Sequence, residues 1–248
     1  MIIVKSKQEI DLMRESGKVT GYILRALNDL IKPGISTQDV DDFIEETILS
    51  HNMIPAFKGY GGFPASACVS VNEEVVHGIP SKDRFLMEGD IVSVDVGCIY
   101  QGYYSDAART YGVGDISPKA ANLIKVTEAS FYEGLKFCKP GQRLGDISHE
   151  IQKKAEEEGY SVIRDFVGHG IGRELHEEPQ IPNYGEAGRG PRLESGMVFA
   201  IEPMIAEGDY QVEVLLNNWT VVTLDGKLSA HYENTVVITD GEPELLTC

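Results

Sequence analysis

Apolar residues recur every three to four positions behind Ser6-Lys7-Gln8-Glu9: Ile10, Met13, Val19, Ile23, Leu24, Leu27 and Leu30 line one face until Lys32-Pro33-Gly34 interrupts the run. Serine with glutamate three residues on is a capping box, so this pattern predicts a helix that opens at Ser6 and stops before Pro33. A second helix is expected after Ser36 or Thr37, with Val40, Phe43, Ile44 and Ile48 inward. A third opens at Ser117-Pro118, a cap followed by proline in the first turn, and runs to Lys139-Pro140-Gly141. A fourth spans about residues 146–158. Between these the period changes from 3.6 to 2. Residues 65–79 read as β, and Ile91–Cys98 and Tyr103–Tyr111 read as two strands around a turn containing Gln101-Gly102. The remainder is strand and turn, with Asn217-Asn218 and Asp225-Gly226 as hairpin signals.

The two halves of the chain repeat each other weakly at one offset. Lys32-Pro33-Gly34 returns as Lys139-Pro140-Gly141, Asp39-Val40 as Asp146-Ile147, and Gly89-Asp90-Ile91-Val92-Ser93-Val94-Asp95 as Gly196-Met197-Val198-Phe199-Ala200-Ile201-Glu202, each displaced by 107 residues. The expectation is an α+β chain of two similar halves, about 1–112 and 113–248, related by a pseudo-two-fold axis and forming one sheet layer backed by helices. Asp95 and Glu202 are then symmetry mates.

Those two acids are chemically awkward. Asp95 interrupts the β-branched run Ile91-Val92-Ser93-Val94-Asp95-Val96, where burying it unpaired is costly. With the hairpin turn centred between Tyr100 and Gln101, Asp95 faces Asp106 directly, and like charges opposite one another in a sheet repel. A shared proton, a basic partner or a bound cation would relieve them. Glu202 repeats the problem in Phe199-Ala200-Ile201-Glu202-Pro203-Met204, and Glu233 repeats it before Thr235-Val236-Val237-Ile238. Four acids in β contexts, two per half, point to a pair of divalent cations.

Histidines supply the second signal. His169 lies among three glycines in Gly168-His169-Gly170-Ile171-Gly172, where a ligand can approach the backbone closely. His176 follows seven residues later, and His77 stands in Val75-Val76-His77-Gly78-Ile79-Pro80, whereas His51, His149 and His231 lack such settings. The glycine spacing differs from GxGxxG and no clean βαβ unit surrounds it, which argues against a dinucleotide site.

Composition narrows the classes. The 248 residues carry 22 Lys and Arg against 39 Asp and Glu, a formal charge of −17, which removes any sequence-independent grip on nucleic acid or anionic lipid. No apolar run approaches a membrane span, and the start has no signal-peptide pattern, so a cytoplasmic protein is expected. Cys68, Cys98, Cys138 and Cys248 form no zinc spacing and read as reduced thiols.

Taken together, Val76-His77-Gly78-Ile79-Pro80, Asp95 with Asp106, Gly168-His169-Gly170-Ile171-Gly172 with His176-Glu177, Ile201-Glu202-Pro203-Met204 and Glu233-Asn234-Thr235 closely resemble the type I methionine aminopeptidases, M24 peptidases of the short bacterial form. The resemblance covers the whole chain as a single catalytic domain and implies the pita-bread fold. It implies Asp95, Asp106, His169, Glu202 and Glu233 as ligands of two divalent ions, a donor set that suits manganese, iron(II), cobalt, zinc or nickel alike. A hydroxide bridging those ions would be the nucleophile, Glu202 the proton shuttle, and His77 and His176 the residues contacting substrate. Phe57, Tyr60, Phe63, Cys68, Leu175 and Trp219 would wall a methionine pocket, with His77 at its edge. A monovalent cation near Asn72 and Ser229 is a further implication. The expected role is removal of the initiator methionine from nascent chains with a small second residue, by a monomer in transient association with the ribosome. A catalytically silent adaptor, or a metal-free creatinase-like enzyme, would conflict with the five retained ligand positions.

Overall fold

The computed structural model describes residues 2–248. Helices α1 (Lys7–Leu30) and α2 (Thr37–Ser50) precede strands β1 (Ile54–Pro55), β2 (Ala67–Val71), β3 (Glu74–Val76), β4 (Ile91–Tyr100) and β5 (Tyr103–Gly112). Helices α3 (Pro118–Leu135) and α4 (Leu144–Glu157) then precede β6 (Ser161–Val162), β7 (Gly168–Gly170), β8 (Glu177–Ile181), β9 (Val198–Ile201) and β10 (Met204–Ala206). The last strands are β11 (Val212–Val214), β12 (Val221–Thr223), β13 (Ser229–His231), β14 (Asn234–Val237) and β15 (Glu244–Leu245). Two sheets dominate, β1-β4-β2 with β5 on β4, and β15-β14-β9-β7-β8. No described helix is long and apolar enough to cross a membrane.

The predicted helix starts hold for physical reasons. Ser6 and Ser36 each accept from a backbone N–H three residues on, while Glu9 and Asp39 answer from the other side, which satisfies four otherwise orphaned donors. The third helix stops at Leu135, short of Lys139-Pro140-Gly141, because the chain tightens into single turns from Gly134 onward: Phe137 N donates to Gly134 O and Cys138 N to Leu135 O. Helix α4 begins at Leu144, two residues earlier than expected.

The 107-residue offset reaches well beyond the motifs. Helices α2 and α4 have the same length and are displaced by 107 at both ends. The isolated bridge Ser36↔Phe85 returns as Arg143↔Arg192, and the left-handed turns at Gly34 and Gly89 return at Gly141 and Gly196 with φ within 2°. Each half buries its sheet beneath its own helix pair. Val92, Val94 and Val96 of β4 pack with Ile23, Leu27, Ile44 and Ile48 of α1 and α2. Phe199 and Ile201 of β9 pack with Phe131, Ile147 and Ile151 of α3 and α4. Strand period two then turns Ser93, Asp95 and Gly97, and likewise Ala200 and Glu202, to the opposite face, toward the other half.

One register differs from expectation. Tyr100 pairs with Tyr103, so Asp95 lies opposite Ala108, and Asp106 lies opposite Gly97. The turn is the two residues Gln101 and Gly102, both left-handed (φ 48° and 80°), the geometry of a type I′ hairpin, so its centre falls one position later than assumed. Asp95 and Asp106 remain on one face as a diagonal pair. Asn217-Asn218 does turn a hairpin, with Val214 opposite Val221. Asp225-Gly226 instead links β12 to β13, which belong to different sheets, because β13 pairs with β10.

The C-terminal segment completes the back of the molecule. Leu246 N donates to Thr235 O, and the tail lies against Gly17 and Gly21 of α1, where a Cβ would run into the carbonyls of Leu246 and Thr247. Gly17→Ala gains helix propensity yet overpacks this seam. It is expected to cost about 1–3 kcal/mol, read as a lower urea midpoint at unchanged slope; a raised midpoint would show that the seam is loose.

Candidate metal centre and substrate pocket

Every residue expected as a divalent-metal ligand, substrate contact or pocket wall lines one cavity of about 150 Å³ where the two halves meet, whereas Asn72 and Ser229 lie outside it. The polar end is made of acids. Asp95 comes from β4, Asp106 from β5, Glu202 follows β9, and Glu233 precedes β14. Asp106 and Glu233 are buried, while Asp95 and Glu202 keep some exposure. The halves are stitched beside them: Asp106 N donates to Thr235 Oγ1 at 2.9 Å, Thr235 Oγ1 donates to Asp106 O at 2.8 Å, and Glu233 N donates to Ala108 O at 3.0 Å.

This crowding makes the acids hold their protons. Burial raises Asp95 to about 7, against a smaller downward pull from its hydrogen bonds with Asp106 and the Val96 backbone. Asp106 is pushed well above the carboxylate range by burial and by the charges of Glu233 and Asp95. Glu202 is raised likewise by burial and by Asp106 and Asp95. Glu233 is raised by burial and by Asp95 and Glu202, against a smaller opposing pull from Arg109. Asp95 Oδ1, Asp106 Oδ1 and Glu233 Oε1 are buried with no hydrogen-bond partner. Orphaned oxygens converging from several strands are the donor set a hard cation requires.

His169 is prepared for the same role. Its Nδ1 lies 2.9 Å from Gly170 O; a carbonyl can only accept, so the proton sits on Nδ1 and Nε2 carries the lone pair. That Nε2 faces Glu202 Oε1 at 3.5 Å and Asp106 Oδ2 at 3.8 Å. Burial lowers His169 to about 3, so the ring is neutral near pH 7. In each of two groups, Asp106-His169-Glu233 and Asp95-His231-Glu233, the ligand atoms lie within 4.8 Å of one another, and Glu233 belongs to both. The residues present therefore fit divalent cations, with Glu233 available to both groups.

His231, whose local sequence setting gives no sign of a role, also belongs to this cluster. Its Nε2 is buried without a partner, 3.6 Å from Glu233 Oε2 and 3.7 Å from Glu202 Oε2, and burial lowers it to about 3. The available signal was strand period: 231 and 233 share a face of an extended chain. His51 and His149 lie outside the cavity, the latter bonded to Gly185 O.

The other end of the cavity is apolar. Phe57, Phe63, Cys68 and Leu175 are buried in one cluster, with Trp219 packed against it. Trp219 meets Phe63 edge-on at 5.1 Å, held in its loop by Asn217 Oδ1, which accepts from Trp219 N and Thr220 N. Cys68 pairs with Asp95 across β2 and β4, and its burial beside that acid keeps the thiol protonated. His77 caps β3 in the left-handed region (φ 59°), a conformation that costs a residue with a Cβ about 1–2 kcal/mol. Its ring stands edge-on to Phe166 and Trp219, and burial lowers it to about 4. His176 sits at the rim with its ring 4.3 Å from that of His169. Asn72 and Ser229 are adjacent, Ser229 N donating to Asn72 O, but both side chains are already bonded, to Asp90 and Ile91 N and to Ile205 O.

Comparison with known proteins bears on this geometry. The sequence pattern of metallopeptidase family M24 matches residues 11–240. The methionine aminopeptidase of Clostridium acetobutylicum is 58% identical over 100% of this chain and 99% of its own, and methionine aminopeptidase 1 of Bacillus subtilis is 52% identical with the same coverage. The crystal structure of methionine aminopeptidase from Thermotoga maritima superposes with a TM-score of 0.98 at 51% identity, covering 100% of this chain and 99% of that one. The prolidase from Pyrococcus furiosus shares the architecture at a TM-score of 0.81 and 25% identity, covering 99% of this chain and 65% of its own. The fold is thus the pita-bread fold of these enzymes, and the chain belongs to metallopeptidase family M24, among its methionine aminopeptidases.

Proposed function

We propose that residues 1–248 form one catalytic domain of two half-repeats that removes the initiator methionine from nascent proteins whose second residue is small. The observation that carries this reading is the cavity itself: four proton-holding acids and a neutral His169 at one end, an apolar wall at the other. Asp95, Asp106, His169, Glu202 and Glu233 hold two divalent cations, drawn from cobalt, manganese, iron(II), zinc or nickel. When bound, such cations supply Lewis acidity, lowering the pKa of water and stabilising negative charge on the scissile carbonyl.

The chain's own residues do the rest. Glu202 takes a proton from the attacking water and passes it to the leaving amine, a task open to a carboxylate at the polar end of the cavity. His176 donates to the scissile carbonyl as charge develops there, and His77 contacts the amide nitrogen beyond it. Phe57, Tyr60, Phe63, Cys68, Leu175 and Trp219 receive the methionine side chain, and sulfur against aromatic edges favours it over a branched aliphatic. A monomer working on nascent chains at the ribosome in the cytoplasm, with a monovalent cation near Asn72 and Ser229, completes the reading.

After metal removal and reloading with cobalt, manganese or iron(II), Met-Gly-Xaa peptides are expected to be cleaved and Met-Leu-Xaa peptides to resist. Failure on Met-Gly-Xaa with every metal would end the proposal. His169→Ala is expected to lose metal affinity by about 10–100-fold in calorimetry, whereas His176→Ala keeps the metal and loses about 100-fold in kcat; equal metal loss in both would merge roles kept separate here.

Stability should follow the acids. A carboxyl whose folded pKa is raised stabilises the fold below its unfolded value, and that contribution is lost as pH rises through the folded pKa, for Asp95 between about 4 and about 7. Metal binding displaces those protons, so the Tm gain on adding zinc is expected to grow from pH 5.5 to pH 8 in scanning calorimetry. A gain that shrinks over that range would contradict the assignment.

A further inference from the structure

His176 stands on a turn whose main chain is fixed from beneath. The Glu177 carboxylate accepts from Arg173 N at 2.8 Å and is paired at 2.6 Å with Lys5, whose ammonium is buried with it. A Cβ on Gly172 would collide with both partners, so the turn has no slack. What this leaves undetermined is the imidazole, which has two nearly isosteric ring orientations and two neutral tautomers. Only one combination directs an N–H at a substrate carbonyl.

Tyr60 touches that choice. Its hydroxyl lies 2.8 Å from His176 Nδ1, with the ring centroids 5.3 Å apart. It reaches there from a tight loop in which Gly59, Gly61 and Gly62 are all left-handed (φ 85°, 56° and 90°). Its neighbours behave differently: Phe57 and Phe63 are 7% and 4% exposed, whereas Tyr60 is 39% exposed, so it seals little of the apolar wall. Desolvation, with Tyr104 and Glu174 nearby, raises its pKa, so it keeps its proton. A phenol is a better donor than acceptor, and an unprotonated imidazole nitrogen is the stronger acceptor of the two.

We propose that Tyr60 is a positioning residue for His176: its O–H donates to Nδ1, which fixes the Nε2–H tautomer and turns that N–H, on the opposite edge of the ring, toward the reacting carbonyl. This rests on the role given to His176 in the proposed function. It separates Tyr60 from the other aromatic residues of the pocket, which act by shape.

The experiment uses zinc-loaded protein with 15N-labelled histidine, wild type and Tyr60→Phe, a change that keeps the ring and removes only the hydroxyl. Long-range 15N–1H spectra are expected to show His176 as the pure Nε2–H tautomer in the wild type and as a mixture in the variant. Turnover of a Met-Gly-Xaa peptide is expected to fall about tenfold in kcat, with KM changed by less than about twofold. An Nδ1–H tautomer in the wild type, or a variant that keeps both the Nε2–H tautomer and wild-type kcat, overturns the inference. His176→Ala in the same assay separates the two readings: wild-type turnover there removes the carbonyl role of His176, while the spectra still decide whether Tyr60 sets its tautomer.

Discussion

Four carboxyl groups held within a few ångströms of one another, away from bulk water, set the terms for the rest of this molecule. Each resists ionisation because its surroundings are poorly polarisable, and for Asp106, Glu202 and Glu233 the charges of neighbouring acids add to that. A fold can keep such a cluster only if the strands bearing it are held rigidly by other means. Two helix-backed sheets do this, with their apolar positions locked under α1 to α4, and the seam from Asp106 through Thr235 fixes the two groups of acids against each other. The cation-binding capacity is thus stored as electrostatic strain that ordinary packing holds in place.

Much of this was legible in the chain. A carboxylate inside a β-branched run is a local anomaly, and the anomaly recurs at a fixed offset, so Asp95 and Glu202 could be paired without coordinates. The apolar residues of the pocket followed from the family resemblance, since aromatic and sulfur side chains carry no local sign that separates a pocket wall from a core.

The misreadings have physical causes. Gln101 gives no hint that it adopts a left-handed conformation, so the hairpin centre was placed one residue early and Asp95 was set opposite Asp106 instead of diagonal to it. His231 was passed over because it lacks neighbouring glycines; what matters for it is its place two residues before Glu233, with its ring nitrogen buried against two acids. The Lys5–Glu177 pair joins positions 172 residues apart and has no local signature. The sequence resolves what is periodic or locally costly, and it hides what depends on which strands meet.

The seam between the halves has a kinetic corollary. Asp106 and Thr235 are 129 residues apart, and no ligand group is complete within one half. Closing contacts of such separation comes late, after each helix pair has covered its own sheet. A nascent chain would therefore hold its acids apart, solvated and unstrained, until the last strand is in place. High-affinity capture of a cation would then be a clock for the completion of folding, and an ion in solution could not recruit this chain before it has finished becoming an enzyme.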